Sequence, residues 1–86
     1  MPTVMGKKRA SESSLMRISK AAQAAGVSNQ TVEYYILVGL ITPLTQPGKP
    51  GRYFNKDLVK RIRLIRRLNE SGYTLRAIRE TYFRNR

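Results

Sequence analysis

Polar side chains able to recognise another molecule by hydrogen bonding lie close together near residue 30. At helical spacing, the outward face of this segment carries Asn29, Gln30, Glu33 and Tyr34. The inward face carries Val32, Tyr35 and Ile36. Asn and Gln amides form paired hydrogen bonds with adenine in the major groove of DNA, so the outward face could read bases. A solvated face on an ordinary helical hairpin is the alternative, and this segment alone leaves both open.

A tight turn before this segment would hold it against a preceding helix. Gly26 can adopt the positive φ that ends a helix. Val27 can fill the corner and Ser28 can cap the next helix, although Thr31 stands where a capping box has an acid. Two short helices joined in this way form a helix-turn-helix, whose second helix enters the major groove.

The boundaries of the two helices follow from their capping residues. Ser19 is the expected N-cap of the first helix, and residues 20–25 are its body. The second helix is expected over residues 29–38, and Gly39 follows its end as a left-handed residue.

A β-hairpin is expected after the second helix. Residues 40–44 and 52–54 favour extended structure, and residues 45–51 contain two Pro and two Gly, which is typical of a turn. This hairpin would form a wing, with Lys49 at its tip and Arg52 on its return strand.

A longer helix is expected over residues 56–71, with Asn55 as its N-cap. Its core-facing side consists of Leu58, Val59, Ile62, Ile65 and Leu68. A stripe of positive charge on the other side consists of Lys56, Lys60, Arg63 and Arg67. The stripe could contact phosphates or be a solvated basic face. Gly72 ends this helix, Thr74 starts a last one, and its basic residues are Arg76, Arg79, Arg84 and Arg86.

The charge balance favours a polyanionic partner. The 86 residues contain 17 Lys and Arg but 5 Asp and Glu, a formal charge of +12. Such an excess repels itself in the folded state, so a polyanionic partner is the simplest explanation. A basic amphipathic chain could instead bind a membrane surface, but the lack of Trp and the helix-breaking glycines disfavour that alternative.

The composition also excludes other classes of function. Without Cys or His, the chain has no thiolate or imidazole for a metal site and no side-chain set for acid–base or nucleophilic catalysis. We therefore expect no enzyme activity, no cofactor and no metal. The lack of a long apolar run or signal peptide predicts a cytoplasmic protein that does not enter the membrane.

The first 15 residues differ in character from the rest. Residues 1–15 mix the basic run 7–9 with several serines and have no apolar period, so we expect a disordered arm. This arm would either lie on DNA phosphates or be an inert extension. Residues 16–86 would form the single folded domain.

The order of these elements resembles the N-terminal DNA-binding domain of MerR-family transcription regulators. The matching residues are Ala22, Gly26-Val27-Ser28, Thr31-Val32, Tyr34-Tyr35, Gly39-Leu40-Ile41, Pro43, Arg52, Phe54, Ile65, Leu68, Gly72 and 75–78. The resemblance implies a mainly α winged helix-turn-helix with a small two-stranded wing and about four helices. It also implies a recognition helix, residues 29–38, in the major groove and a wing, residues 40–54, on the DNA backbone. Tyr34, Tyr35 and Arg52 would then carry DNA contacts.

The expected function is therefore sequence-specific binding of double-stranded DNA for transcriptional regulation. An excisionase-like or architectural DNA-binding factor is the alternative, and the sequence does not separate the two. The candidate DNA-binding residues are Arg17, Ser28, Asn29, Gln30, Thr31, Tyr34, Tyr35, Lys49, Arg52, Tyr53, Lys60, Arg63 and Arg67.

The chain departs from the family's pattern in three respects. Members usually have Arg where this chain has Glu33, and Glu where it has Ile36. Glu33 is either turned away from the DNA backbone or a specificity residue, since Glu can accept from the amino group of cytosine. Members also usually continue into a long dimerising helix, whereas this sequence stops at Arg86 and has no sustained heptad pattern. We expect a monomer without a small-molecule effector site, and a dimer only if a longer parent protein exists.

Overall fold

Four helices and one antiparallel two-stranded sheet make up residues 15–83, the part of the chain that the computed structural model describes. In chain order the elements are α1 (Ile18–Ala25), α2 (Asn29–Leu37), β1 (Leu44–Gln46), β2 (Lys49–Tyr53), α3 (Lys56–Glu70) and α4 (Leu75–Tyr82). This arrangement confirms the predicted, mainly α winged helix-turn-helix. The predicted disorder of residues 1–15 falls almost wholly outside the described residues, as do Arg84 and Arg86.

The turn between α1 and α2 has the predicted chemistry. Gly26 has a φ of 78°, and the N–H of Val27 donates to the carbonyl of Ala22 at 3.0 Å. The Ser28 hydroxyl accepts from the backbone N–H of Thr31 at 3.1 Å, which caps α2. These hydrogen bonds satisfy backbone groups at the end of α1 and the start of α2 that have no partner within the helices themselves.

The predicted start of α1 was wrong by two residues, because the N-cap is Arg17 and not Ser19. Arg17 occupies the N-cap position without a side-chain cap bond, and the helix already includes Ser19. The carbonyl of Arg17 accepts from the N–H of Ala21 at 3.0 Å, which places the first helical bond earlier than predicted. The hydroxyl of Ser19 is thereby free to contact α2.

The paired strands of the wing lie closer to the connecting turn than the sequence predicted. Leu44 pairs with Tyr53 and Gln46 with Lys49, so most of the predicted loop, residues 45–51, lies in the strands. The connecting turn is Pro47-Gly48, and the φ of 76° at Gly48 suits the third position of a type II turn. Pro50 is tolerated within β2 because a two-stranded sheet has open edges.

One buried cluster joins the helices and the base of the wing. Its members are Ala21, Ala22, Ala25, Val32, Tyr35, Leu40, Ile41, Phe54, Val59, Ile62, Ile65 and Ile78. Leu40 and Ile41 belong to this core although the sequence favoured an extended wing segment there. Phe54 is fully buried, and its backbone exchanges two hydrogen bonds with Met16, at 2.9 and 2.7 Å. The wing is therefore attached to the same core that supports α2.

The third and fourth helices begin where the sequence predicted. Asn55 accepts from the N–H of Leu58 at 2.9 Å, and Thr74 accepts from the N–H of Ala77 at 3.0 Å. Helix α3 ends at Glu70, one residue before the predicted end. Such differences of one residue are ordinary at fraying helix ends.

Candidate nucleic-acid interface

The outward face of α2 is polar and exposed, as its helical phase predicted. Asn29, Gln30 and Glu33 are exposed, and Tyr34 keeps 51% of its surface open to solvent. Tyr35 is only 4% exposed, and burial raises the pKa of its hydroxyl above the usual value. The two tyrosines therefore divide between surface and core, and the free face of α2 carries the amides and one phenol.

The side chain of Asn29 connects the two helices of the motif. Its amide Nδ2 donates to the hydroxyl of Ser19 in α1 at 3.2 Å. This bond leaves the amide oxygen and one amide hydrogen of Asn29 for another partner. Gln30 lies beside it at the N-terminal end of α2 and is exposed. The geometry therefore presents two amides, one of them oriented by α1.

A two-pronged ion pair connects α2 to the wing. The Nη1 and Nη2 atoms of Arg52 donate to the Oε1 and Oε2 atoms of Glu33 at 3.1 and 2.7 Å. These hydrogen bonds hold the pKa of Glu33 below its ordinary value and that of Arg52 above its ordinary value. Both side chains remain about half exposed. Glu33, which departs from the family's pattern, is thus paired with Arg52, the arginine expected to contact the DNA backbone.

The sequence analysis missed this ion pair. Its partners lie 19 residues apart, so no helical spacing connects them. The sequence signal for this pair was the opposite charge of Glu33 and Arg52, which lie on two elements expected to face the same ligand. Placing them together required knowledge of how the wing folds back on α2.

A second arginine packs against the wing. The guanidinium of Arg17 lies 5.0 Å from the ring centroid of Tyr53, a cation–π distance. A Cβ atom added at Gly51 would lie 3.3 Å from that guanidinium, so Gly51 gives Arg17 room to approach. The hydroxyl of Tyr53 donates to the carbonyl of Pro50 at 3.2 Å. Arg17 and Tyr53 are thereby brought together at β2, and Lys49 is exposed at the start of the same strand.

The positive stripe on α3 lies elsewhere. Lys56, Lys60, Arg63 and Arg67 are all exposed. The last two line a groove together with the C-terminal end of α1, including Gln23 and Gly26. Among the residues described, the lining of this groove contains none from α2. The predicted site residues therefore lie on a surface of α2 and the wing and on a basic surface of α3, and the two surfaces adjoin at Gly26 and Arg66.

Comparison with known proteins places this geometry in a family. Residues 16–82 match the MerR HTH family regulatory protein domain. The chain belongs to the MerR family. That match covers both basic surfaces, the wing and all four described helices.

Several proteins similar to this chain are named as regulatory proteins. The chain is 32% identical over 65 residues to the HTH-type transcriptional regulator HmrR of Sinorhizobium medicae (strain WSM419), which is 76% of the chain and 44% of the relative. It is 36% identical over 62 residues to the mercuric resistance operon regulatory protein of Bacillus cereus, which is 72% of the chain and 47% of the relative. It is 41% identical over 49 residues to the HTH-type transcriptional regulator CueR of Bacillus subtilis (strain 168), which is 57% of the chain and 34% of the relative. The chain thus spans less than half the length of these relatives.

This MerR-family domain has one further arginine near α2 that the sequence analysis missed. Arg66 lines a groove with Gln30 and Tyr34, and its Nε donates to Glu70 at 3.0 Å. The available indication was its position four residues after the buried Ile62, which places it beside the core-facing side of α3. Arg66 therefore adds a partly neutralised positive charge at the edge of the recognition-helix surface.

None of the helices within residues 15–83 combines the length and apolar character needed to span a membrane.

Proposed function

We propose that this MerR-family domain binds specific sites in double-stranded DNA and thereby regulates transcription. The observation that carries the proposal is the exposed polar face of α2, whose opposite face is buried and whose two amides lie at its N-terminal end. A helix held in this way can enter the major groove with its first turn facing the bases. The adjoining wing supplies positive charge for the DNA backbone.

The proposed contacts divide into base reading and backbone positioning. Asn29 and Gln30 read bases, because amides have the donor and acceptor pattern that matches adenine. Residues assigned to the backbone are Arg17, Lys49, Arg52, Tyr34 and Tyr53. Arg52 can hold Glu33 and a phosphate together, since the ion pair uses two of its several N–H donors.

The N-terminal end of α2 offers additional backbone contacts. Ser28 and Thr31 lie there with hydroxyls 3.0 Å apart, beside the positive end of the helix dipole. The ring of Tyr35 is buried, so its contact with DNA would be limited to the hydroxyl. These groups would fix how deeply α2 enters the groove.

The basic surface of α3 supports an alternative function that also involves DNA binding. Lys60, Arg63 and Arg67 face a groove without α2 residues, so a straight duplex on α2 need not reach them. DNA that bends towards α3 could contact both surfaces. Architectural proteins offset the energetic cost of bending DNA through such additional contacts. An architectural or excisionase-like role is therefore the second candidate, and a DNA-bending assay on the selected site would distinguish it.

Gln30→Ala is expected to relax base preference at about one position, at a cost of ~1–3 kcal/mol on the preferred site and little on random duplex. Asn29→Ala is expected to act at a neighbouring position, with an additional loss of its bond to Ser19.

Arg52→Ala should instead weaken binding to every duplex, because it removes a phosphate contact and leaves Glu33 without its partner. Fluorescence anisotropy on preferred and scrambled duplexes measures both effects. Unchanged affinity of Arg52→Ala for random duplex would show that the wing assignment is wrong.

Selection of bound sequences from a random duplex pool tests the proposed function. The wild-type domain should enrich a short motif, and duplex should compete far better than a single strand of the same length. Equal recovery of all sequences would contradict sequence-specific binding. Stronger binding to anionic vesicles than to duplex would point to a membrane surface instead.

A further inference from the structure

We propose that Glu33, oriented by Arg52, determines base specificity by accepting a hydrogen bond from the amino group of a cytosine in the major groove. This inference rests on the proposed DNA binding and adds to it the identity of one recognised base. It also assigns the two residues different tasks. Glu33 contacts the base, and Arg52 is the residue that positions it.

The position of Glu33 on α2 supports a base contact. It comes four residues after Asn29 and three after Gln30, so the three side chains share the outward face of the helix. Its side chain is 50% exposed although both carboxylate oxygens are hydrogen-bonded. A surface that carries the two amides into the groove therefore carries this carboxylate with them.

The two-pronged pair prepares the carboxylate for this contact. Arg52 occupies one acceptor position on each oxygen of Glu33 and thereby fixes the plane of the carboxylate. Each oxygen keeps a further lone pair that can accept from an N–H donor. Cytosine is the base that presents its amino group as a donor without a neighbouring acceptor at the major-groove edge, and Glu is among the side chains that match it.

The pair also removes the electrostatic objection to an acid on this face. An unpaired carboxylate would be repelled by the DNA phosphates, whereas the guanidinium of Arg52 balances its charge. An exposed glutamate is already ionised at neutral pH, and the hydrogen bonds to Arg52 lower the pKa of Glu33 further, so its carboxylate is an acceptor there. An exposed ion pair adds little to the stability of a fold. Removing it should therefore affect base preference more than the melting temperature.

The test is selection from a random duplex pool, carried out in parallel on the wild type, Glu33→Gln, Arg52→Lys and Glu80→Gln. The wild-type motif should contain a position dominated by cytosine. Glu33→Gln should shift that position towards adenine, the base that Gln matches, and lose ~5- to ~150-fold of discrimination for cytosine on defined duplexes. Arg52→Lys keeps the charge but not the two-pronged geometry, so it should weaken the preference for cytosine at that same position.

Glu80→Gln is the matched control, because it removes an exposed acid that pairs with Arg76 on α4 at 3.9 Å. It should leave every position of the motif unchanged, and all variants should melt close to the wild type. A motif that keeps its cytosine in Glu33→Gln, or a wild-type motif without any cytosine position, would overturn this inference alone. A wild type that enriches no motif would overturn the proposed function as well.

Discussion

Replacing Tyr35 with alanine is expected to lower the free energy of unfolding by about 3–5 kcal/mol, the range for a large aromatic lost from a core. Tyr35 is 4% exposed and belongs to the same buried cluster as Val32 and Leu40. The cavity left behind would lie directly beneath the recognition helix. Urea denaturation followed by circular dichroism measures the loss. A domain of this size has little stability to spare, so Tyr35→Ala should keep only a small part of the wild-type stability and unfold at a much lower urea concentration.

The neighbouring tyrosine provides the control for this prediction. Tyr34 is 51% exposed, so Tyr34→Ala should change the free energy of unfolding by only about 0.5 kcal/mol, as surface substitutions usually do. Tyr34→Phe removes only the hydroxyl and should weaken DNA binding without a matching loss of stability. If Tyr34→Ala destabilised the domain more than Tyr35→Ala, the phase assigned to α2 would be wrong.

DNA affinity is expected to fall steeply with salt. When the duplex reaches Lys60, Arg63 and Arg67 of α3 as well as Lys49 and Arg52, about five phosphate contacts form, which predicts a slope of about −4 to −5 for log K against log salt. Raising salt from about 50 mM to about 200 mM should therefore weaken binding by ~250- to ~1000-fold. The physical cause is the release of counterions condensed on the duplex when Lys and Arg neutralise its phosphates. Anisotropy titrations across this range measure the slope.

Single substitutions show which residues contribute to the salt dependence. Lys49→Ala should reduce the magnitude of the slope by about 1, since one phosphate contact is lost. Arg76→Ala is the matched control, because Arg76 lies on α4 and pairs with Glu80. Its slope should equal that of the wild type. A slope near zero in the wild type would contradict an interface built on phosphate contacts.

The helix-turn-helix could be predicted from the sequence because its determinants are local. The conformation of Gly26 and the cap from Ser28 to Thr31 depend on residues within one turn of each other. The caps at Asn55 and Thr74 were predictable for the same reason. Ser19 was the exception, since its hydroxyl contacts Asn29 of the next helix instead of capping its own.

The wing and the details of the interface depend on contacts that the sequence does not encode locally. The strands pair through residues expected in a loop, because a single turn at Pro47-Gly48 brings them together. The Glu33–Arg52 pair and the packing of Arg17 on Tyr53 both join residues from different elements. Only the folded wing brings these side chains together, so composition and helical spacing could not predict them.

The most direct test of the proposed interface is a map of backbone amide chemical shifts as a short duplex is added to the ¹⁵N-labelled domain at low salt. The largest changes are expected at residue 17, along residues 28–34 and along residues 49–53, the surface formed by α2 and the wing. Smaller changes at residues 60–67 would accompany contact with the α3 stripe. Changes confined to α4, or no change at α2 when the duplex is in excess, would contradict binding through the recognition helix.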